Sequence, residues 1–534
     1  MHSWKSGEIT ASLLDRYGIT CVFGIPATHV VELYEGIRRF GKIKSVVGRN
    51  EQATSYMADG YARRARSLGV SLVTGGPGLG NSVSGLQCAY ADSVPTLLLT
   101  SDLNAEDRLR KPLGIPHETF DSFNLAVATG SITERIDSID EIQSTLNSVI
   151  ERMLSGRQRP GVCLFSRGTL ESNVQSSNRL PDEPVQIDRS DLLHKEKNQI
   201  AEVASRLKGA RKPLILAGMG IYWAKCETEL VRLLSEFSIP CVTTVPATGV
   251  VPSEGLEKVG SIAVQENRNL LTEADFVVAI GAGFGSVTTA NGSLEIDCPI
   301  AQVNIDANEI GKHFPAELGI VMDAKLFISM LLDEMQDEPK ANWSPKIFKS
   351  KKNPWVEAID RATRNQPVTI AADVCITSDW LYKSLPINEN RKLFMPWNYM
   401  NLGWSYAAAL GMKMAAPDDF VISIMGDGGA LFSLGELATA VENDIPVCLL
   451  IFNNNSYGTI SLVQRDWFNG GEFGVDLKSP NFKMCAEAFN VPYENCKTAD
   501  SLAMALKRFA NSNKPSIIEV PISLQEQELI SKNN

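Results

Sequence analysis

The feature that most limits how this chain can fold is one segment, 420-FVISIMGDGGALFSLGELATAVENDIPVCLLIFNNNSYGTI-460. Five of the six residues from Phe420 to Met425 are apolar, as in a strand buried on both faces. Gly426-Asp427-Gly428-Gly429 interrupts the run. Leu434, Leu437, Ala438 and Val441 then fall at i, i+3, i+4 and i+7, which predicts one face of a helix. Asn443, Asp444 and Pro446 end that helix, and residues 447–452 read as the next strand. Strand, glycine turn, helix and strand make a βαβ unit, so the two strands are expected to be parallel and the sheet covered by helices. The aspartate of the first turn and the asparagines after the second strand therefore stand at the carboxyl ends of neighbouring strands. Doubly wound sheets bind their ligands there.

The same alternation of short β-branched runs and longer amphipathic stretches continues along the chain, predicting an α/β fold of three doubly wound parallel-sheet domains. The first is expected over 1–170, with strands at 42–47, 70–74 and 95–101 and a helix at 51–64. The second spans 188–335, with a helix near Ile200 and strands at 213–218, 239–245, 276–281 and 301–306. The third spans 355–534. Polar stretches at 171–188 and 336–354 read as linkers, and residues 523–534 as a polar tail. The length of 534 residues suits three domains, at roughly 150 residues each. With 51 basic against 62 acidic residues and no basic block, a nucleic-acid or anionic-membrane partner is disfavoured. No apolar run approaches the ~20 residues of a membrane span, and the N-terminus lacks the apolar core of a secretory signal. Ten cysteines occur without a CxxC pair, so neither a disulfide framework nor a zinc knuckle is indicated. A cytoplasmic protein is expected.

Asp427 offers one hard anionic oxygen and Asn454 a neutral amide oxygen. So sparse a pair suits magnesium, which keeps water and takes its other ligands from phosphate oxygens. Gly426, Gly428 and Gly429 let the backbone approach a diphosphate and present N–H groups at a helix start. Taken alone, the segment is equally a tight turn with Asp427 capping a helix and the asparagines in a loop. Glu51, beside Asn50 at a helix start, is by itself capping and dipole chemistry. In the middle of the chain, 281-GAGFGS-286 with the later Asp306 suggests a dinucleotide site. Its glycines depart from GxGxxG, however, and Gly218-Met219-Gly220 also lacks the third glycine, so no nicotinamide cofactor is expected.

From Gly426 to Asn455 the chain resembles the thiamine-diphosphate motif of the acetolactate synthase and pyruvate decarboxylase superfamily. The resemblance implies Asp427, Asn454 and the carbonyl of Ser456 as magnesium ligands. It also places Gly426, Gly428, Gly429, Asn454, Tyr457 and Gly458 at the cofactor. The segment 48-GRNEQATSYMADGYARR-64 is similar to the one carrying the family's catalytic glutamate, here Glu51. That glutamate hydrogen-bonds the aminopyrimidine nitrogen and favours the imino form that deprotonates the thiazolium carbon. A buried carboxyl there can hold a proton near neutral pH, because desolvation raises its pKa. Many relatives have His-Glu at this point, where this chain has Asn50-Glu51.

Further segments carry the same resemblance. The stretch 74-TGGPGLGNSVSGLQCAYADSVPTLLLTSD-102 resembles the Gly-Pro-Gly lining of the pyrimidine pocket, with Gly76 at the cofactor. The stretch 22-VFGIPATH-29 resembles the loop bordering the active site, which implies Gly24 and Pro26, with Ala27 where glycine is frequent. In 115-IPHETFD-121, His117 stands where acetolactate synthases carry glutamine, implying a catalytic proton relay; a structural histidine is the alternative. Leu402 falls where the family has a bulky apolar residue that bends the cofactor into a V and so brings its reacting groups together. An ordinary core leucine is the alternative there. Residues 373–380 fall where the family contacts the diphosphate. The stretch 301-AQVNIDANEIGKH-313 resembles the family's central domain. The Arg-Phe-Asp pattern of flavin-containing synthases is missing from 281-GAGFGSV-287, so FAD is not expected. Val463 stands where biosynthetic synthases carry a pocket tryptophan.

Thiamine diphosphate, Mg2+ and a small 2-oxo acid substrate are thus implied. The expected reaction is decarboxylation with synthase-like carboligation of the resulting enamine. The alternative is a simple decarboxylase that releases an aldehyde from a larger acid, such as a guanidino 2-oxo acid. A non-catalytic regulatory homologue is a reading of another class, and the retained Glu51, Asp427 and Asn454 argue against it. The family shares its site between two subunits, which implies a homodimer at least and a homotetramer as the expected assembly.

Overall fold

The computed structural model describes residues 2–176, 194–336, 340–349 and 353–533. Three six-stranded sheets, parallel throughout, carry the architecture. Their strands are short apolar runs buried on both faces; Thr96–Asp102 and Gly161–Ser166 are buried at every position. In the first sheet the chain starts at Cys21–Gly24 and steps outward to Lys44–Val47. It then crosses back to Gly69–Leu72, Thr96–Asp102, Ile132–Ile136 and Gly161–Ser166, the last inserting beside Thr96–Asp102. The third sheet repeats this order, from Val368–Ala372 to Arg391–Phe394 and then to Phe420–Gly426, Val447–Asn453, Tyr493–Asn495 and Ser516–Pro521. In each, the winding reverses between the first and third strands. The crevices therefore open after Gly24 and Leu72 in one sheet, and after Ala372 and Gly426 in the other.

The middle sheet differs. Its strands run outward from Pro213–Ala217 through Cys241–Thr243 to Val259–Ser261, then from Phe276–Ile280 through Ile300–Asn304 to Leu318–Val321. At its reversal point the glycines that suggested a nucleotide loop pack on one another. A Cβ on Gly218 would lie 2.1 Å from the Gly281 carbonyl oxygen, and one on Gly220 2.5 Å from the Gly281 Cα.

The first and third sheets are joined by two helices, Glu51–Ala65 and Trp404–Ala415, that touch backbone to backbone. A Cβ on Gly60 would sit 2.0 Å from the Ala408 carbonyl oxygen, and one on Gly411 1.8 Å from that of Met57. Beside this contact Arg63 is buried between Asp59 and Asp92, and the Trp404 indole N–H donates to Asp59 at 2.9 Å. Each buried charge is thus matched.

Three expectations need correction. The polar end is a helix, Leu524–Asn533, and part of it is buried. The helix after the glycine turn begins at Asp427 itself, as Asp427–Ser433, and continues through a 3₁₀ turn into Leu437–Glu442. Its buried face holds Leu437 and Ala440, while Val441 is 40% exposed. The stretch read as the second linker is partly strapped down, with Trp343 and Ile347 against the core and Phe348 bonded to the Asn267 side chain. Of the first linker, Asn173–Ser176 pairs antiparallel with His2–Lys5, and residues 177–188 lie outside the described residues. All ten cysteines are free thiols. No helix among the described residues is long and apolar enough to cross a membrane.

Candidate active site

At the carboxyl edge of the third sheet, Asp427 opens its helix directly after the strand Phe420–Gly426 and is 1% exposed. It accepts hydrogen bonds from the Ser479 hydroxyl and the Asn454 backbone N–H, and no basic side chain among the described residues pairs with it. Burial pushes its carboxyl above the ordinary range, with the Ser479 hydrogen bond opposing. Asn454 follows the neighbouring strand. Its Nδ2 donates to Gln527 Oε1 at 2.6 Å and its Oδ1 accepts from Ser456 N at 2.9 Å, so both ends of the amide are held. Gln527 is 3% exposed and comes from the C-terminal helix. Residues 455–457 are pinned to 475–477 by Tyr457 N to Val475 O at 2.9 Å and Leu477 N to Asn455 O at 2.8 Å.

The glycines of this edge have separate reasons to be glycine. A Cβ on Gly428 would lie 2.6 Å from the Tyr457 ring, and one on Gly458 2.5 Å from Asn454 Nδ2. Gly429 closes against Asp373 Oδ2, 2.4 Å from where a Cβ would stand. Gly426 is the open one, its nearest neighbour being the Cys375 Cβ at 3.6 Å. Asp373 is fully buried; its Oδ2 accepts from Gly403 N at 2.9 Å and its Oδ1 has no partner. Burial pushes its carboxyl up to about 7, against the N–H groups at the start of the next helix. Leu402, just before Gly403, is half-buried and belongs to no apolar core cluster among the described residues.

The corresponding edge of the first sheet carries the other predicted residues. Glu51 is the first residue of its helix, with Asn50 capping by accepting from Gln52 N at 2.8 Å. Its carboxylate accepts from Asn81 Nδ2 at 2.9 Å. Within the chain Glu51 is only half-buried, so the expected burial of that carboxyl is not found there. Among the described residues no hydrogen bond or ion pair joins it to 426–458. The corner beside it reaches across at another point, from Arg49 N to Glu436 Oε1 at 3.1 Å. His117 has φ +67° and is held by its Nδ1, 3.0 Å from Thr74 Oγ1. Its carbonyl oxygen lies 2.4 Å from where a Cβ of Gly76 would be, and Gly76 has φ +64°. At the predicted Gly24 a Cβ would meet the Leu72 carbonyl and the Tyr34 hydroxyl, and Pro26 is exposed on the loop beyond.

Three residues of these edges were not signalled as site residues by the sequence, Ser479, Gln527 and His29, and Asp373 was signalled only as part of the stretch 373–380. Asp373 and His29 lie within stretches that resembled the family. Nothing in the sequence marked the other two.

Three family profiles match the chain in succession. These are the N-terminal TPP binding domain of thiamine pyrophosphate enzymes over residues 5–125, their central domain over 200–331, and their C-terminal TPP binding domain over 373–520. The chain is 27% identical to the acetolactate synthase large subunit of Haemophilus influenzae, over 99% of this chain and 96% of that protein. It is likewise 27% identical to the acetolactate synthase large subunit of Lactococcus lactis, over 98% and 94%. It is 28% identical to a Pseudomonas aeruginosa protein named "Probable 2-ketoarginine decarboxylase AruI", over 96% and 93%.

Proposed function

Starting from a chain that belongs to the thiamine pyrophosphate enzyme family, we propose a thiamine-diphosphate- and magnesium-dependent enzyme that decarboxylates a small 2-oxo acid and ligates the remaining acyl unit to a second carbonyl. The observation that carries this is Asp427, a buried carboxylate without a basic partner, beside an amide whose both ends are held. A divalent cation would offset the cost of burying that charge. Asp427, Asn454 Oδ1 and the Ser456 carbonyl would hold Mg2+, and Gln527 keeps the Asn454 oxygen turned to the site. The open face of Gly426 and the N–H groups after it suit a diphosphate.

When bound, the cofactor supplies the carbon nucleophile and the electron sink that decarboxylation needs. Glu51 would hold a proton at the pyrimidine nitrogen, and Leu402 would wedge the two rings together. His117, its ring turned by Thr74, would move a proton at the substrate oxygen.

Glu51 and Asp427 would meet across a subunit boundary in a homodimer, itself paired into a homotetramer. Exposed apolar side chains flank both edges and favour a covering partner: Leu431 and Phe432 after the glycine turn, Trp467 and Phe473 beyond it, and Leu109 and Phe120 in the loop that carries His117. A cytoplasmic location goes with this reading.

Release of an aldehyde from a larger acid is the second reading, favoured by His117 and by the similarity to the protein named as a 2-ketoarginine decarboxylase. Incubating the protein with thiamine diphosphate, Mg2+ and either pyruvate or larger 2-oxo acids, and following products by NMR, separates the two. Acetolactate supports the carboligase and aldehyde the decarboxylase; no carbon dioxide from any acid refutes both.

A further inference from the structure

Beside His117, at the carboxyl edge of the first sheet, lies a recess of ≈ 220 Å³. His29, Ser101, Thr119 and Arg167 are among its walls. His29 and His117 meet edge to face there, with ring centroids 4.7 Å apart. His117 is anchored to Thr74, but the two ring nitrogens of His29 have no hydrogen-bond partner among the described residues. Burial first, then His117 and Arg167, hold the His29 imidazole below its ordinary range, with Glu171 opposing. At neutral pH His29 is therefore an uncharged ring, presenting one N–H donor and one acceptor to the recess.

The charges around the recess are already matched. Arg167 Nε lies 2.9 Å from Glu171 Oε1, and Asp102 is 3.1 Å from Arg135 Nε. Asp107 is 3.6 Å from Arg110. Among the described residues each of these charges has a partner, so a cationic or anionic side chain entering here would compete with an existing ion pair, and an apolar one would strand the His29 nitrogens. A neutral side chain that both donates and accepts hydrogen bonds suits the walls.

Resting on the reading of this edge as the 2-oxo acid site, we propose that the recess is the substrate's side-chain pocket and that His29 determines specificity, selecting a 2-oxo acid whose side chain carries a neutral hydrogen-bonding group. The selection belongs to this chain's own pocket.

The test uses two acids of nearly equal size, 2-oxosuccinamate and 4-methyl-2-oxopentanoate, with the enzyme loaded with thiamine diphosphate and Mg2+. Carbon dioxide release should favour the carboxamide by roughly ten- to a hundred-fold in kcat/KM, because the apolar acid leaves polar wall groups unpaired. In His29→Ala that ratio should fall to about one, and in His29→Asn, which keeps a donor and an acceptor, part of it should return. Calorimetric binding of both acids to the loaded Glu51→Gln variant should show the same preference without turnover, and His29→Ala in that background should erase it. Equal rates for the two acids, or a preference that survives His29→Ala, overturns the pocket assignment alone. Failure of the wild type to release carbon dioxide from any 2-oxo acid overturns the functional reading and the pocket with it.

Discussion

Replacing Asp373 by asparagine should abolish a loss of stability that the wild-type chain suffers as pH rises. The carboxyl is fully buried, and burial pushes it up to about 7 from 3.8. Between those values the folded chain holds a proton that the unfolded chain has released, so stability must fall with rising pH across that window. The full contribution is present below the unfolded value and gone above the folded one. At ~1.4 kcal/mol per unit, a shift of about three units sets a ceiling near 4 kcal/mol, of which roughly 2.5 kcal/mol falls between pH 5 and pH 8. Asparagine keeps an oxygen for the Gly403 N–H but has no proton to lose. Any cost of seating the amide is the same at every pH and cancels in the slope. Urea unfolding of both proteins at pH 5, 6, 7 and 8 gives the measurement, as the stability difference between wild type and variant. The wild type should lose roughly 2.5 kcal/mol relative to the variant over that range. A difference that stays level to within about 0.5 kcal/mol would refute the assignment of a buried, protonated Asp373.

Asp427→Ala should abolish magnesium-dependent retention of thiamine diphosphate; unchanged affinity by calorimetry would count against the metal assignment. Gln527→Leu, which frees the Asn454 amide to turn, should weaken that retention about ten- to a hundred-fold while leaving the fold intact by circular dichroism. Glu51→Gln should still bind the cofactor but lose orders of magnitude in turnover, and near-normal rates would remove Glu51 from the mechanism. Gly76→Ala forces a side chain into the His117 carbonyl at a positive φ and should displace the His117 loop. Altered accessibility of that loop to limited proteolysis is the readout, and a wild-type pattern would contradict it.

Much of the site was legible because its parts are local. A strand buried on both faces, a glycine turn and a second strand place Asp427 and Asn454 side by side before any coordinate is known. Helix capping put Glu51 at the first helical position, where it stands. What stayed hidden depends on contacts between distant segments. Gln527 sits in a sequence whose polar composition reads as a tail, and the helix docks through contacts with distant segments: Gln527 with Asn454, and Ile530 with the core. Asp373 ends a strand like many other residues, and its burial comes from Gly403 and Gly429 closing over it. His29 and His117 meet because both loops leave the same sheet edge, a fact of strand order rather than of spacing. The burial expected for Glu51 came from the resemblance and not from the local sequence, and within the chain the residue is only half-buried.

The glycine contact between helices Glu51–Ala65 and Trp404–Ala415 has a consequence for motion. With Gly60 against the Ala408 carbonyl and Gly411 against that of Met57, neither helix can slide or roll without backbone striking backbone. Glu51 begins one of these helices and Leu402 lies two residues before the other, so within one chain the backbone positions that carry them are held like the ends of a gauge block. A hinge between the first and third sheets of the chain is therefore not available.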